Sequence, residues 1–419
     1  MRHPRERLWQ AAMDRRGFLR RTAAGAAALS GAGLLAACGG GSDSATSGLK
    51  LASPENPATL PLFDDNQAIE SGLEPEKGPL RVFNWDQYIW PKVLKDFAEE
   101  YNVDYELSNF YNMSEGVNKL RTGQVQFDIF FPTADPTPKL VAAKLLQPLN
   151  HSYLPNLESN IWPELADPWY DKGSRYTVPY TVYTTGIAWR TDLVEEDIAA
   201  RNNPYDVFWD EQYAGKVGIY DDYREAMTMV LLKNGIEDVN TASSKDIELA
   251  RRELIEMDEA VQVRTTIDGA YVGIPESRFA IHQAWSGDIA GGPFYMPEKE
   301  YGDPEGVLRY WWPSDGTIGN DMIAIPANAK NPVLAHHFLN YMLQNKASLT
   351  NYSWLLYQPP LNVIKPPELV SDGYIVPNLR STIVQKEDFD TGIVQTALPP
   401  AVDRKWQDAW ADFKSGAGK

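Results

Sequence analysis

Trp85, Asp86 and Tyr88 follow directly on the apolar run of residues 80–84, where a strand ordinarily turns into solvent through Gly, Asn or Ser. Aromatics left at a strand end expose apolar surface unless something comes to cover it. Similar residue types recur further on. Thr133 and Asp135 follow the run FDIFF, Asp222 and Glu225 follow KVGIY, and Trp285 closes FAIHQAW. A groove lined by carboxylates and flat rings suits a linear polyamine. Its amines titrate near pH ~10 and are charged at neutral pH, while its methylenes are apolar. Ring faces attract each ammonium by roughly 0.5–2 kcal/mol, and a buried ammonium without a carboxylate would be very costly.

Each of these residues also has a plain structural reading. Asp222 and Glu225 in DYRE have the spacing of a helix capping box. Asp135, just before Pro136, has the form of an N-cap, and Asp321 in GND that of a turn acid. Trp85 and Tyr88 suit a core staple between strand and helix. His336 and His337 are adjacent on a helix and point apart, which makes a poor metal pair and suits a surface or interface feature.

The elements that must hold these residues alternate strand and helix. LRVFN, VDYEL and FDIFF read as strands, with helices at PKVLKDFAEEY, SEGVNKLRTG and PTPKLVAAKLL. This βαβαβ start predicts an α/β unit with FDIFF as a strand buried on both faces. A second set follows: KVGIY, FAIHQAW, LRYWW and DMIAIP as strands, and helices from Tyr223 to Gly235, at SKDIELARRELIEMDEA and at NPVLAHHFLNYMLQN. Two α/β units imply two lobes with a cleft, and ligands of such sheets sit beyond the carboxyl ends of the strands. The cleft is then expected to hold aromatics and acids and almost no bases.

The N-terminal part reads as an address. MDRRGFLRR holds the twin arginines Arg15 and Arg16, an Ala/Gly/Leu run follows, and LAAC resembles a lipobox ending in Cys38. Cys38 is the single cysteine of 419 residues, which excludes a disulfide framework and a cysteine-based metal site. Residues 39–48 read as a flexible linker, and 49–78, rich in Pro, Glu and Asp, as an extended or partly ordered tether. The whole chain has a net charge of −18. Residues 1–37 carry seven Arg and two acids, so the chain from Cys38 onward holds 32 basic and 55 acidic residues, a net of −23. Such a chain repels nucleic acid phosphates and concentrates cations near its clefts. No P-loop, dinucleotide motif, Ser-His-Asp arrangement or metal spacing appears, so neither a cofactor nor catalysis is expected.

The blocks FNWDQYIWP, FDIFFPT, VPYTVYTTGIAW, YDDYREAM, AWSGD and NDMIAIPANAKN, in this order, resemble the periplasmic spermidine/putrescine-binding proteins of ABC importers. The resemblance runs from Leu80 to the end, about 340 residues. It implies a two-lobed type II binding-protein fold, α/β throughout, each lobe a mixed sheet flanked by helices. Residues 79–183 and 321–365 would form one lobe, 184–320 and 366–419 the other. It also implies a polyamine ligand, permease partners in the membrane, no chemistry of its own and a monomer. The chain would be exported and held by lipid at Cys38 on the outer face of the cytoplasmic membrane, or lie in the periplasm. The same resemblance carries roles onto residues here. Trp85, Tyr88 and Trp285 would stack on the ligand; Asp222, Glu225 and Asp321 would bind amines; Thr133, Tyr357 and Gln395 would complete the wall. Asp86 is a candidate from its place at the strand end. Asp135 stands where the family usually has an aromatic and Gly319 where a tryptophan is usual, with Trp312 or Tyr295 as candidates to fill the gap. A sugar or quaternary amine is the alternative ligand, and an exported cell-envelope enzyme the alternative of another class.

Overall fold

The apolar run at Leu80–Trp85 becomes β1 and lies parallel to β2 (Tyr105–Phe110) and β3 (Ile129–Phe130) in the computed structural model, which describes residues 51–123, 125–296 and 306–416. The twin-arginine leader, Cys38 and the Gly/Ser linker lie outside the described residues. Between β1 and β2, α1 (Pro91–Tyr101) starts on Pro91, buries Val93, Leu94, Phe97 and Ala98, and stops at Asn102. Its apolar spacing of three and four residues is what turns that face to the core. Helix α2 (Met113–Thr122) is capped by the Asn112 side chain and closes on Gly123, whose φ of 62° suits glycine. FDIFF contributes only two paired residues, because its Asp128 is drawn into a buried knot. Its oxygens accept from the backbone N–H groups of Arg81, Lys330 and Asn331 and from the Asn331 side chain. The IPANAKN block is thereby a fold device that staples two distant segments. Helix α3 (Thr137–Ala142) is shorter than the sequence pattern predicts; the chain turns off at Lys144, in the left-handed region.

The second lobe repeats the plan. β5 (Val217–Tyr220) lies parallel to β6 (Arg264–Thr266) and β7 (Ile281–Trp285), backed by α4 (Tyr223–Lys233) and α5 (Ser244–Val261). After β7 come the short helix α6 (Ser286–Gly291) and then β8 (Leu308–Trp311) and β9 (Ile318–Ala324). Helices α7 (Pro332–Met342) and α8 (Asn345–Leu355) return to the first lobe, and α9 (Pro400–Ser415) packs on α5 with Trp406 fully buried in the second core. Asp321 lies inside β9, so the turn-acid reading fails.

One strand joins the two halves. β4 (Thr177–Arg190) spans 14 residues. Its first half, through Thr184, pairs antiparallel with β9; from Thr185 it pairs with β7, and from Ile187 with β8 as well. The sheet order is β2-β1-β3-β9-β4-β7-β5-β6. The parallel pairs sit at both ends of this mixed sheet and the antiparallel ones in its middle.

Residues 51–78 are not a free tether. They form a strap whose Ala52, Ala58 and Leu60 are buried. Ala58 exchanges backbone hydrogen bonds with Trp169 and Lys172, Arg175 donates to the Leu60 carbonyl, and Asn150 donates to that of Ile69. Glu76 accepts from the N–H groups of Val333 and Leu334 in the first turn of α7, where free donors and the helix dipole favour a carboxylate. His336 is likewise no surface residue. It is fully buried, with Nε2 accepting from Asn150 N–H and Nδ1 facing the Pro332 carbonyl. Burial holds its pKa down to about 4, so the ring stays neutral. His337 is half-buried, 3.3 Å from the Tyr101 hydroxyl.

Candidate functional site

The strand ends of both lobes converge on one cavity of about 840 Å³. Trp85, Asp86, Tyr88, Thr133, Asp135, Asp222, Glu225, Trp285, Asp321, Tyr357 and Gln395 all line it. Most come from β1, β3, β5, β7, β9 and the segments just after them; Tyr357 follows α8, and Gln395 lies in the segment before α9.

On the first lobe, Trp85 donates its indole N–H to the Phe131 carbonyl and leans on the Phe110 ring, which fixes the plane of the indole. Asp86 accepts from the Asn109 side chain at 2.6 Å. Tyr88 is held edge-on between Tyr180 and Tyr357 and donates its hydroxyl to Asp321 Oδ2 at 2.6 Å. Thr181 lies 2.6 Å from the same hydroxyl and so donates to it. Asp321 Oδ1 is buried with no partner among the described residues. Burial pushes the Asp321 carboxyl up to about 7; the Tyr88 hydroxyl pulls it down and the Asp135 charge adds to the rise. The Thr133 hydroxyl donates to Asp135 Oδ1 at 2.5 Å. Asp135 therefore does not cap α3, whose N-cap position is Pro136.

On the second lobe, Asp222 does cap α4: Oδ1 accepts from the N–H groups of Arg224 and Glu225. Glu225 does not return the favour, as a full capping box requires. Its side chain turns into the cavity, where Oε1 accepts from the Trp285 indole at 3.1 Å and Oε2 is buried without a hydrogen bond. Burial, then the neighbouring Asp222 charge, push Glu225 up to about 7 against the pull of the Trp285 indole and the Thr185 hydroxyl. Asp222 is raised as well, mainly by burial and further by Asp135 across the cleft. Trp285 stacks on Tyr220 at 3.9 Å, and the Tyr220 hydroxyl is donated to Asp288 at 2.7 Å. Asp288 accepts a second hydroxyl, from Tyr357, at 2.7 Å. One carboxylate thus fixes both the ring behind Trp285 and the ring beside Tyr88. Gly287 makes this possible, since a Cβ there would lie 2.3 Å from the Tyr357 ring.

Sequence reading missed two wall residues. Asp288 stands three residues after Trp285 in AWSGD, a block that carries the family resemblance without marking Asp288. Tyr183 lies opposite Gly319 in the β4–β9 register, and its ring fills the space that a side chain at 319 would need. Neither Trp312 nor Tyr295 fills the gap. Trp312 donates to the Thr317 carbonyl, and Tyr295 backs Tyr271 at 5.6 Å. Four carboxylates surround the Tyr183 phenol: after burial, the charges of Asp321, Glu225, Asp135 and Asp222 hold its pKa well above the usual value.

Bases do reach the wall, against expectation: Arg121, Lys139 and Arg224. Arg224 turns its guanidinium to the Thr396 carbonyl and Asn240, and Lys139 is bound to Asp403. The interior of the cavity is anionic, ring-walled and carries two unpaired carboxylate oxygens. That arrangement can hold a cation that donates hydrogen bonds and has apolar carbon between its charges. Among the described residues no three His, Cys, Asp or Glu side chains gather as a metal-holding group, and no helix is long and apolar enough to cross a membrane.

Residues 92–377 match the family model described as bacterial extracellular solute-binding protein. The chain is 27% identical over 304 residues to the spermidine/putrescine-binding periplasmic protein 1 of Haemophilus influenzae, covering 71% of this chain and 80% of that one. It is 26% identical over 359 residues to a putrescine-binding periplasmic protein of Escherichia coli, covering 82% and 93%. Among solved structures, the spermidine/putrescine ABC transporter substrate-binding protein of Streptococcus pneumoniae shares the fold with a TM-score of 0.62 at 24% identity, over 80% of this chain and 98% of that one. The architecture is the two-lobed type II binding-protein fold.

Proposed function

The chain belongs to the bacterial extracellular solute-binding proteins, and on that footing we propose that it captures a polyamine, spermidine or putrescine, and delivers it to the permease of an ABC importer. The observation that carries this reading is the pair of buried, unpaired carboxylate oxygens, Asp321 Oδ1 and Glu225 Oε2, inside a cavity walled by Trp85, Tyr183 and Trp285. An unpaired buried acceptor is costly until a donor arrives. A protonated amine supplies the donor and the charge together, and the rings cover its methylenes. The names of the relatives support the same ligand class.

In this reading Trp85, Tyr88, Trp285 and Tyr357 flank the carbon chain, and Asp135, Asp222, Glu225 and Asp321 take the ammonium groups. Thr133 holds Asp135 in place, and Asp86 adds anionic potential at the first-lobe side. The protein performs no catalysis and acts as a monomer. Closure of the two lobes over the ligand creates the form that the permease recognises. The twin arginines and LAAC support export and lipid attachment at Cys38.

Calorimetric titration of the purified chain with spermidine and putrescine tests the ligand class, with glycine betaine and glucose as counter-ligands. Saturable binding of a polyamine and none of the counter-ligands is expected. Binding of betaine or glucose with no polyamine signal overturns the reading.

A further inference from the structure

On the wall of the cavity an ion pair crosses from lobe to lobe. Lys139, on α3 of the first lobe, places Nζ 2.5 Å from Asp403 Oδ2, on α9 of the second. The other oxygen, Oδ1, accepts the hydroxyl of Tyr223 at 2.6 Å. All three residues line the cavity. The Lys139 and Asp403 side chains are 32% and 15% exposed, so the pair is partly withdrawn from water and less screened than a surface bridge. Burial alone would raise the Asp403 carboxyl; the ammonium and the hydroxyl outweigh it and hold it low.

The contact resembles its neighbour, with one sign exchanged. Asp135 and Lys139 lie four residues apart on the same stretch of the first lobe, and Asp222 and Tyr223 are consecutive on the second. Asp135 faces Asp222 as anion to anion, close enough that its charge raises the Asp222 carboxyl. That contact gains from a cation brought between the two. Lys139 faces Asp403 as cation to anion, and that contact is already made. The same wall thus presents a vacant acidic position for a guest ammonium and, at Asp403, a filled one.

We propose that Lys139 is a specificity-determining residue, a resident ammonium that occupies the acidic position at Asp403 on the cleft wall and so limits the length of the polyamine it accepts. This inference rests on the polyamine reading. With Lys139 in place, a longer guest brings its additional ammonium against a like charge and finds Asp403 already neutralised. With Lys139 gone, Asp403 becomes one more carboxylate for such a guest, next to the Tyr223 hydroxyl.

Isothermal titration of the purified chain with spermidine and with spermine reads this directly. Lys139→Met is expected to raise the spermine-to-spermidine affinity ratio by about tenfold, the scale of one partly desolvated charge pair. Lys139→Gln should do the same, and Lys139→Arg should leave the ratio as it is. The double variant Lys139→Met/Asp403→Asn should return the ratio to its wild-type value, because the uncovered acid is gone. Equal weakening of both ligands in Lys139→Met and Lys139→Gln would reduce the pair to a closure contact and overturn the proposal. A shifted ratio that persists in the double variant would overturn it too. Wild-type chain that binds neither amine fails the polyamine reading itself, and this inference falls with it.

Discussion

Tyr183 and Gly319 are partners in one cross-strand position, and the ring of the first occupies the volume that the second lacks. A Cβ at 319 would lie 2.9 Å from Cζ and the hydroxyl oxygen of Tyr183. The aromatic wall expected at 319 is therefore supplied from the adjacent strand, and its phenol brings a polar end among four carboxylates. Gly319→Trp should accordingly weaken spermidine binding by about tenfold or more through displacement of Tyr183. Gly319→Trp combined with Tyr183→Ala should recover most of it. Calorimetry on the three chains checks this; a single Gly319→Trp variant with unchanged affinity refutes the exchange of rings.

The unpaired oxygens of Asp321 and Glu225 predict the largest losses. Asp321→Asn and Glu225→Gln should each weaken polyamine binding by about tenfold or more, since each removes a full charge from a desolvated contact. Neither change should lower the melting temperature of the ligand-free chain, because each removes a buried charge that has no counter-ion in contact. Differential scanning calorimetry and titration of the same samples separate the two effects.

The raised carboxyls give two pH dependences of opposite sign. Glu225 and Asp321 move up to about 7 from ordinary values of 4.5 and 3.8. Between those limits the folded, empty site binds protons that the unfolded chain has released. These two groups therefore stabilise the empty protein fully at low pH, and the contribution is lost as pH rises toward 7. Ligand capture needs the ionised forms, while the guest amines stay protonated throughout. Affinity should thus fall by about tenfold per group between pH 8 and pH 6. Titrations across that range check it, and a flat profile contradicts the assignment of these acids to the amines.

The strap at 51–78 should matter for stability and not for binding. Glu76→Ala removes the acceptor from the first turn of α7 and should cost about 1 kcal/mol, the usual worth of a helix cap. Urea denaturation reads that cost, and the spermidine affinity should stay unchanged.

Much of the site was legible because its chemistry depends on residue type at strand ends. Trp85, Asp222 and Trp285 announce themselves that way, whereas Asp321 sits inside β9 and is marked only by the family resemblance. Other parts depend on register. Tyr183 becomes a wall residue only because β4 and β9 align it with Gly319. The length of β4 was hidden for a physical reason as well. Pro179 falls at an irregularity in the pairing, and Gly186 sits where a Cβ would meet the Trp311 carbonyl oxygen at 2.0 Å. Both residues ordinarily mark the end of a strand, and here they mark a bulge and a close backbone approach. Whether 49–78 hangs free or lies on the body is not legible, because Pro-rich, acidic sequence has the same composition in both cases.

The handover within β4 is where the sheet passes from one lobe to the other. Thr184 pairs with β9 and the next residue, Thr185, with β7, so a single peptide step separates the two halves. Tyr183 and Thr185 on either side of that step both face the cavity. If the lobes turn about that step, a guest touching them presses near the axle, where little travel is needed, while the contact of Lys139 with Asp403 rides on a longer arm. A few degrees of twist along one strand would then decide whether that contact is made.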